Sequence, residues 1–109
     1  MGETLKVLGQ AAPAAVTLTA LYTVPAATQT AVSTITVANQ NNSAIAFRIS
    51  VAIGGAADTP AQYIYYDVTV AKKDSFVATI GLSLGAGDII RVQTDTANVS
   101  FNAFGSEVT

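Results

Sequence analysis

The chain has 109 residues, of which 50% are hydrophobic and 11% charged, with a net charge of −2 and neither cysteine nor histidine. That length suits one domain around one core, and the charged fraction lies far below the ~25% usual in soluble domains. Without cysteine there is no disulfide framework and no thiolate metal site; without histidine the commonest general base and every Ser-His or Cys-His nucleophile pairing are missing, so most hydrolase mechanisms drop out.

The first residues, Met1 to Gln10, place Glu3 ahead of Lys6 and hold no apolar block of the roughly seven or more residues that a secretory signal needs. A short strand is possible at Thr4 to Leu8. Gln10 to Ala15 is alanine-rich, and Pro13 has no N–H for a ladder, so this stretch reads as an extended arm or loop. Residues 1–15 are therefore expected to form an N-terminal arm and residues 16–109 a single β-sandwich domain. From Val7 to Phe47 no residue is charged, but Pro13, Pro25, Gln29 and many threonines interrupt the stretch, and it contains no run of ~18 apolar residues. A transmembrane helix is excluded there, and no membrane association is expected.

Period-two alternation dominates the remainder. Val16 to Val24 forms a first run, and Thr30 to Ala38 a second, with Ile35 and Val37 opposite Thr34 and Thr36. Asn39 to Ser43 supplies a polar turn, and in Ala44 to Ile53 the residues Ile45, Phe47, Ile49, Val51 and Ile53 share one face. The turn between these two runs predicts an antiparallel hairpin. After the loop Gly54 to Pro60, Ile64, Tyr66, Val68 and Val70 alternate with Tyr63, Tyr65, Asp67 and Thr69. Lys72-Lys73-Asp74 makes a charged turn into the run Phe76 to Leu84, and Gly85-Ala86-Gly87-Asp88 reads as a hairpin turn into Ile90 to Gln93. Asn98 to Phe104 closes the chain. Seven or eight short strands with no helical period predict an all-β antiparallel β-sandwich, with a jelly-roll or immunoglobulin-like strand order.

The carboxylates Asp58, Asp67, Asp74, Asp88 and Asp95 are the remaining acid–base candidates. Most lie in or beside turns, where aspartate caps backbone groups, and no enzyme activity is expected. Asp95-Thr96-Ala97-Asn98 lacks the full spacing of a calcium loop, and Gly85-Ala86-Gly87 opens no helix that could cradle a phosphate. No cofactor and no metal are expected. Lys6, Arg48, Lys72, Lys73 and Arg91 are scattered and form no basic face, so nucleic acid is not an expected partner. Tyr63 and Tyr65 share a face opposite the apolar one, and with Arg48 they are the candidate contacts for a protein or sugar partner. The alternatives are a tyrosine pair that covers a sheet edge and an arginine that is simply solvated. Asn41-Asn42-Ser43 and Asn98-Val99-Ser100 fit a glycosylation pattern by chance.

The positive signal is the charge deficit. Free strand edges are normally protected by charge, proline or bulges, yet the first 47 residues hold only Glu3 and Lys6 as charged residues. Surfaces of Ala, Thr, Ser, Val and Ile suit permanent contact, because interface cores are depleted in charge. A half that simply fills the centre of a covered sandwich would read the same way.

The order and spacing of a series of blocks add a resemblance that spans about Leu8 to Glu107. They are Leu21-Tyr22-Thr23-Val24-Pro25-Ala26, Val32-Ser33-Thr34-Ile35-Thr36-Val37-Ala38-Asn39, Phe47-Arg48-Ile49-Ser50-Val51-Ala52, Gln62-Tyr63-Ile64-Tyr65-Tyr66-Asp67, Gly87-Asp88-Ile89-Ile90-Arg91-Val92 and Ser100-Phe101-Asn102-Ala103-Phe104-Gly105-Ser106-Glu107. The chain resembles small virion structural proteins of tailed bacteriophages, a family of capsid decoration or cement proteins and tail-associated β-sandwich proteins. The resemblance implies a non-enzymatic virion component, made in the host bacterial cytoplasm and located in the virion. The first expectation is a decoration or cement subunit that stabilises the head shell, self-associates as a homo-oligomer such as a trimer, and contacts the major capsid protein, with residues 1–15 as a clamp. The alternatives are a tail, baseplate or fibre-adaptor subunit that contacts tail proteins, and a carbohydrate-binding β-sandwich. No site residue is carried over from the family.

Overall fold

Two antiparallel sheets of four strands each face one another in the computed structural model, which describes residues 2–109. In chain order the strands are β1 (Glu3–Ala11), β2 (Thr19–Thr23), β3 (Gln29–Asn39), β4 (Ile45–Ala52), β5 (Tyr63–Val70), β6 (Ser75–Leu84), β7 (Ile89–Thr94) and β8 (Val99–Val108). Two short 3-10 turns, Ile53–Gly55 and Pro60–Gln62, lie between β4 and β5. The sheet orders are β1-β8-β3-β6 and β2-β7-β4-β5. That is the jelly-roll arrangement of two interleaved Greek keys, so of the two expected strand orders the immunoglobulin-like one is excluded. No helix among the described residues is long and apolar enough to cross a membrane.

The alternation read in the sequence sets the core. Ile35 and Val37 of β3, Phe101 and Ala103 of β8, Phe47 and Ile49 of β4, and Ile90 and Val92 of β7 are all fully buried between the sheets. Phe47 is the aromatic hub, with ring centroids 5.3 Å from Phe76 and 6.1 Å from both Tyr65 and Phe101. Each such ring contributes a large share of the burial that holds the sheets together, roughly 3–5 kcal/mol by its loss on truncation to alanine.

Only the β4–β5 connection joins neighbours in one sheet. The expected hairpin between the runs around β3 and β4 is therefore corrected: β3 pairs with β6 and β8, while β4 pairs with β5 and β7. Asn39 to Ser43 carries the chain across the sandwich. The hairpin turn expected at Gly85 to Asp88 is corrected in the same way, since β6 and β7 belong to opposite sheets.

The expected arm is also corrected over its described part. β1 pairs with β8 along its length, and Leu8 enters the core. The register shifts at Leu8, and Gly9 brings the backbone so close to β2 that a Cβ there would fall on the Leu21 carbonyl oxygen. Gly105 of β8 meets the same limit against the Ala31 carbonyl. Met1, the first residue of the expected arm, lies outside the described residues. The run read from Val16 starts three residues later as β2, because Val16 lies in a turn ahead of the strand, with a left-handed φ of 53°.

Candidate functional site

On the outward side of the β2-β7-β4-β5 sheet, residues 53–62 between β4 and β5 fold back over the ladder. Arg91 of β7 holds them there, its guanidinium donating to the Ala56 carbonyl at 2.8 Å and the Gly55 carbonyl at 3.3 Å. Asp88 accepts the Gly54 N–H at 2.8 Å, and the Gln62 amide donates to the Ala57 carbonyl at 2.9 Å. Gly54 and Gly55 take φ of 63° and 73°, which lets the chain reverse directly after β4. The loop is thereby tied to two places outside it, Asp88 and Arg91, and braced internally by Gln62, and its tip, Asp58-Thr59-Pro60, is carried to the outer tyrosines.

Those tyrosines are not the pair that strict alternation selects. Ile49 faces Tyr65 and Ser50 faces Tyr63, so Ile64 is an extra residue; a second shift lies between Phe47 and Ile49, where Asp67 has a φ of 55°. Each shift exchanges the faces of the residues that follow. Tyr65 therefore turns inward against Phe47 and Phe76, while Tyr63 and Tyr66 turn outward together, with ring centroids 5.2 Å apart and planes nearly perpendicular. The expectation that Tyr63 and Tyr65 share a face is corrected for this reason. Arg48 does stand with Tyr63, and Tyr66 takes the place expected of Tyr65.

Arg48 is fixed from two sides. Its Nε donates to Asp67 Oδ1 at 2.7 Å and its Nη2 to Oδ2 at 3.3 Å, while Cζ sits 4.0 Å from the centroid of the Tyr66 ring. This bidentate pair holds the Asp67 carboxyl below its ordinary range and raises the guanidinium further. Asp67 is thus ionised and occupied at neutral pH and has no proton to give. The Tyr63 hydroxyl donates to Asp58 Oδ2 at 3.0 Å, and burial first, then that carboxylate, pushes its pKa up.

Together Arg48, Asp58, Thr59, Pro60, Tyr63 and Tyr66 wall an open cleft of about 500 Å³. It has aromatic and proline surface, one carboxylate and one stacked guanidinium, which is equipment for binding. No cluster of three or more His, Cys, Asp or Glu side chains among the described residues is placed to hold a metal ion. Sequence reasoning named Asp58 only among the turn carboxylates and missed Thr59 and Pro60, all of which reach the cleft only through the folded-back loop, and it set Tyr66 on the inner face because nothing in the local pattern marks the bulges.

The opposite sheet presents a different surface. Its outward side carries Leu5, Val7, Phe104 and Val77, all exposed, and Val7 is the ladder partner of Phe104. β3 and β6 contain no charged residue, and the sheet's ionised side chains, Glu3, Lys6 and Glu107, all lie on β1 or near the end of β8.

No protein-family model matches the chain, and no curated protein does. Among solved structures the chain is similar to a chain of the IBDV viral particle, described in the setting of icosahedral virus evolution, with a TM-score of 0.56 and 8% identity over 96% of this chain. The present chain spans 30% of the length of that one. At so low an identity the likeness is one of fold.

Proposed function

We propose that the chain is a non-enzymatic structural subunit of a virus particle, specifically a tailed-phage capsid decoration or cement subunit. The observation that carries this reading is the outward side of the β1-β8-β3-β6 sheet, where exposed Leu5, Val7, Phe104 and Val77 stand among threonine, serine and alanine with charges only at its margin. A surface without charge costs little to dehydrate, and a folded chain gains by covering it. The jelly-roll order of this chain and its fold likeness to a chain of a viral particle support the same reading, since jelly rolls are an architecture of capsid domains.

A subunit of this kind binds the assembled shell and not its free parts, so it shifts assembly by mass action. Symmetry multiplies each weak contact. The test is antibody labelling of intact particles from the infected bacterium, together with peptide mass spectrometry of the purified virion. The expected result is regular label over the head shell. Label confined to the tail would move the chain to the tail-associated role, and its absence from the virion would end the structural reading altogether.

A further inference from the structure

We propose that the cleft between the loop tip Asp58-Thr59-Pro60 and the outward side chains Arg48, Tyr63 and Tyr66 binds an uncharged sugar ring. The inference is independent of the virion reading, because the cleft lies on the other sheet from the uncharged surface.

The first argument is that the site is built before any ligand arrives. Arg91, Asp88 and Gln62 each tie the loop by a side-chain hydrogen bond, Arg48 is locked by Asp67 and Tyr66, and Tyr63 is tethered to Asp58. A pre-formed cleft spares the ligand the cost of ordering the chain. Its volume of about 500 Å³ lies in the range of small-molecule sites and suits one or two pyranose rings.

The second argument is chemical. A pyranose offers an apolar C–H face and a rim of hydroxyls, and it needs ring surface on one side and fixed polar groups at the edge. Tyr63, Tyr66 and Pro60 supply the ring surface, with Tyr66 58% exposed in the free protein. Among the described residues Asp58 uses only Oδ2 internally, so Oδ1 is left as an acceptor for hydroxyl protons, and Arg48 Nη1 is left as a donor.

Charge then selects among sugars. Arg48 is already paired with Asp67, which stands outside the cleft lining, whereas Asp58 forms no ion pair among the described residues, so the cleft and its immediate backing hold two carboxylates against one guanidinium. Uronic acids, sialic acids and phosphates are disfavoured, and a neutral ring is not.

The experiment titrates the isotope-labelled full chain with D-galactose, D-mannose and N-acetylglucosamine, followed by amide shifts in nuclear magnetic resonance, with D-glucuronate as the charged comparison. At least one neutral sugar is expected to give saturable shifts centred on Thr59, Tyr63 and Tyr66, with a dissociation constant in the millimolar range that a single ring contact supports. Asp58→Asn, nearly isosteric and at the surface, should weaken binding about tenfold by replacing a charge-assisted acceptor. Tyr66→Ala should remove it with the remaining amide spectrum unchanged. No saturable shift with any of the neutral sugars, shifts mapped elsewhere, full affinity in both variants, or tighter binding of glucuronate would each overturn the proposal.

Discussion

Tyr22 shows how much one side chain contributes where the two sheets meet. From β2 its hydroxyl crosses to the other sheet, donating to Glu107 Oε2 at 2.6 Å and sharing a 2.7 Å bond with Thr30 Oγ1, while Lys6 Nζ reaches Glu107 Oε1 at 3.2 Å. Burial first, then the bond to Glu107, pushes the Tyr22 pKa up from 10.0 to about 12. The Glu107 carboxyl moves the other way, held below its ordinary value first by the Tyr22 hydroxyl and then by Lys6. A depressed carboxyl stabilises the fold above its unfolded-state value and loses that contribution as pH falls through the folded one; a raised phenol stabilises the fold below pH 10 and loses that contribution as pH climbs toward about 12. The melting temperature should therefore be flat through neutrality and fall at both ends. Tyr22→Phe should cost roughly 1.5–3 kcal/mol at neutral pH, as expected for a hydrogen bond to a charged group. It should also flatten the alkaline fall and shrink, without abolishing, the acid one, because Lys6 remains. Thermal denaturation across pH decides this: a Tyr22→Phe profile that is parallel to the parent's at both ends would show that the cluster has no part in the pH response.

The elements are joined mostly by connections that cross the sandwich, and one buried side chain ties two of these together. Asn39, 3% exposed at the end of β3, donates through Nδ2 to the carbonyls of Ser43, Val70 and Ala71, and its Oδ1 accepts the Asn41 N–H at 2.9 Å. The β3–β4 crossing is thereby fixed against the β5–β6 turn. Asn39→Ala strands buried carbonyls and should cost about 2–3 kcal/mol, read as a lower urea midpoint at unchanged slope, whereas Asn41→Ala at the surface should cost less than half as much. Equal losses in the two variants would contradict the assignment of Asn39 as the tie. The contrast between strands and connections explains what the sequence disclosed. The alternation of Ile45, Phe47 and Ile49, or of Phe76, Ala78 and Ile80, is local, and each run is a strand in the structure. Whether Asn39 to Ser43 reverses within a sheet or leaps across is decided by partners 30 or more residues away, such as Val70 through its carbonyl, and no turn residue announces it. The cleft was legible to the same degree. Arg48 and Tyr63 follow from parity counted from secure strand positions, but the extra residue at Ile64 and the left-handed Asp67 reverse parity in between, exchanging Tyr65 for Tyr66.

At the scale of the whole molecule the jelly roll leaves four strand edges, and three are defended. β1 carries Glu3 and Lys6, β2 is only five residues long, and β5 is bulged and bears Asp67. β6 is different: it has ten residues without proline or charge, pairs with β3 alone, and exposes Val77 on the uncharged outer side. An edge of this length with free N–H and C=O groups is a template for another strand, and two copies related by a two-fold axis present it to each other antiparallel. The purified chain is therefore expected to associate in sedimentation velocity in a concentration-dependent manner. High salt should weaken the association little, because no ion pair is available at that edge to be screened. Val77→Lys places one charge on each copy at the same seam. It should return the chain to a monomer while leaving the unfolding free energy of the dilute protein within about 1 kcal/mol of the parent's, since Val77 is 58% exposed. A parent that sediments as a monomer at every concentration, or a Val77→Lys variant that associates just as strongly, would place the contact surface on another edge or face. Salt-driven dissociation would instead point to β1, where Lys6 and Glu3 are the only charged side chains on that sheet's other edge.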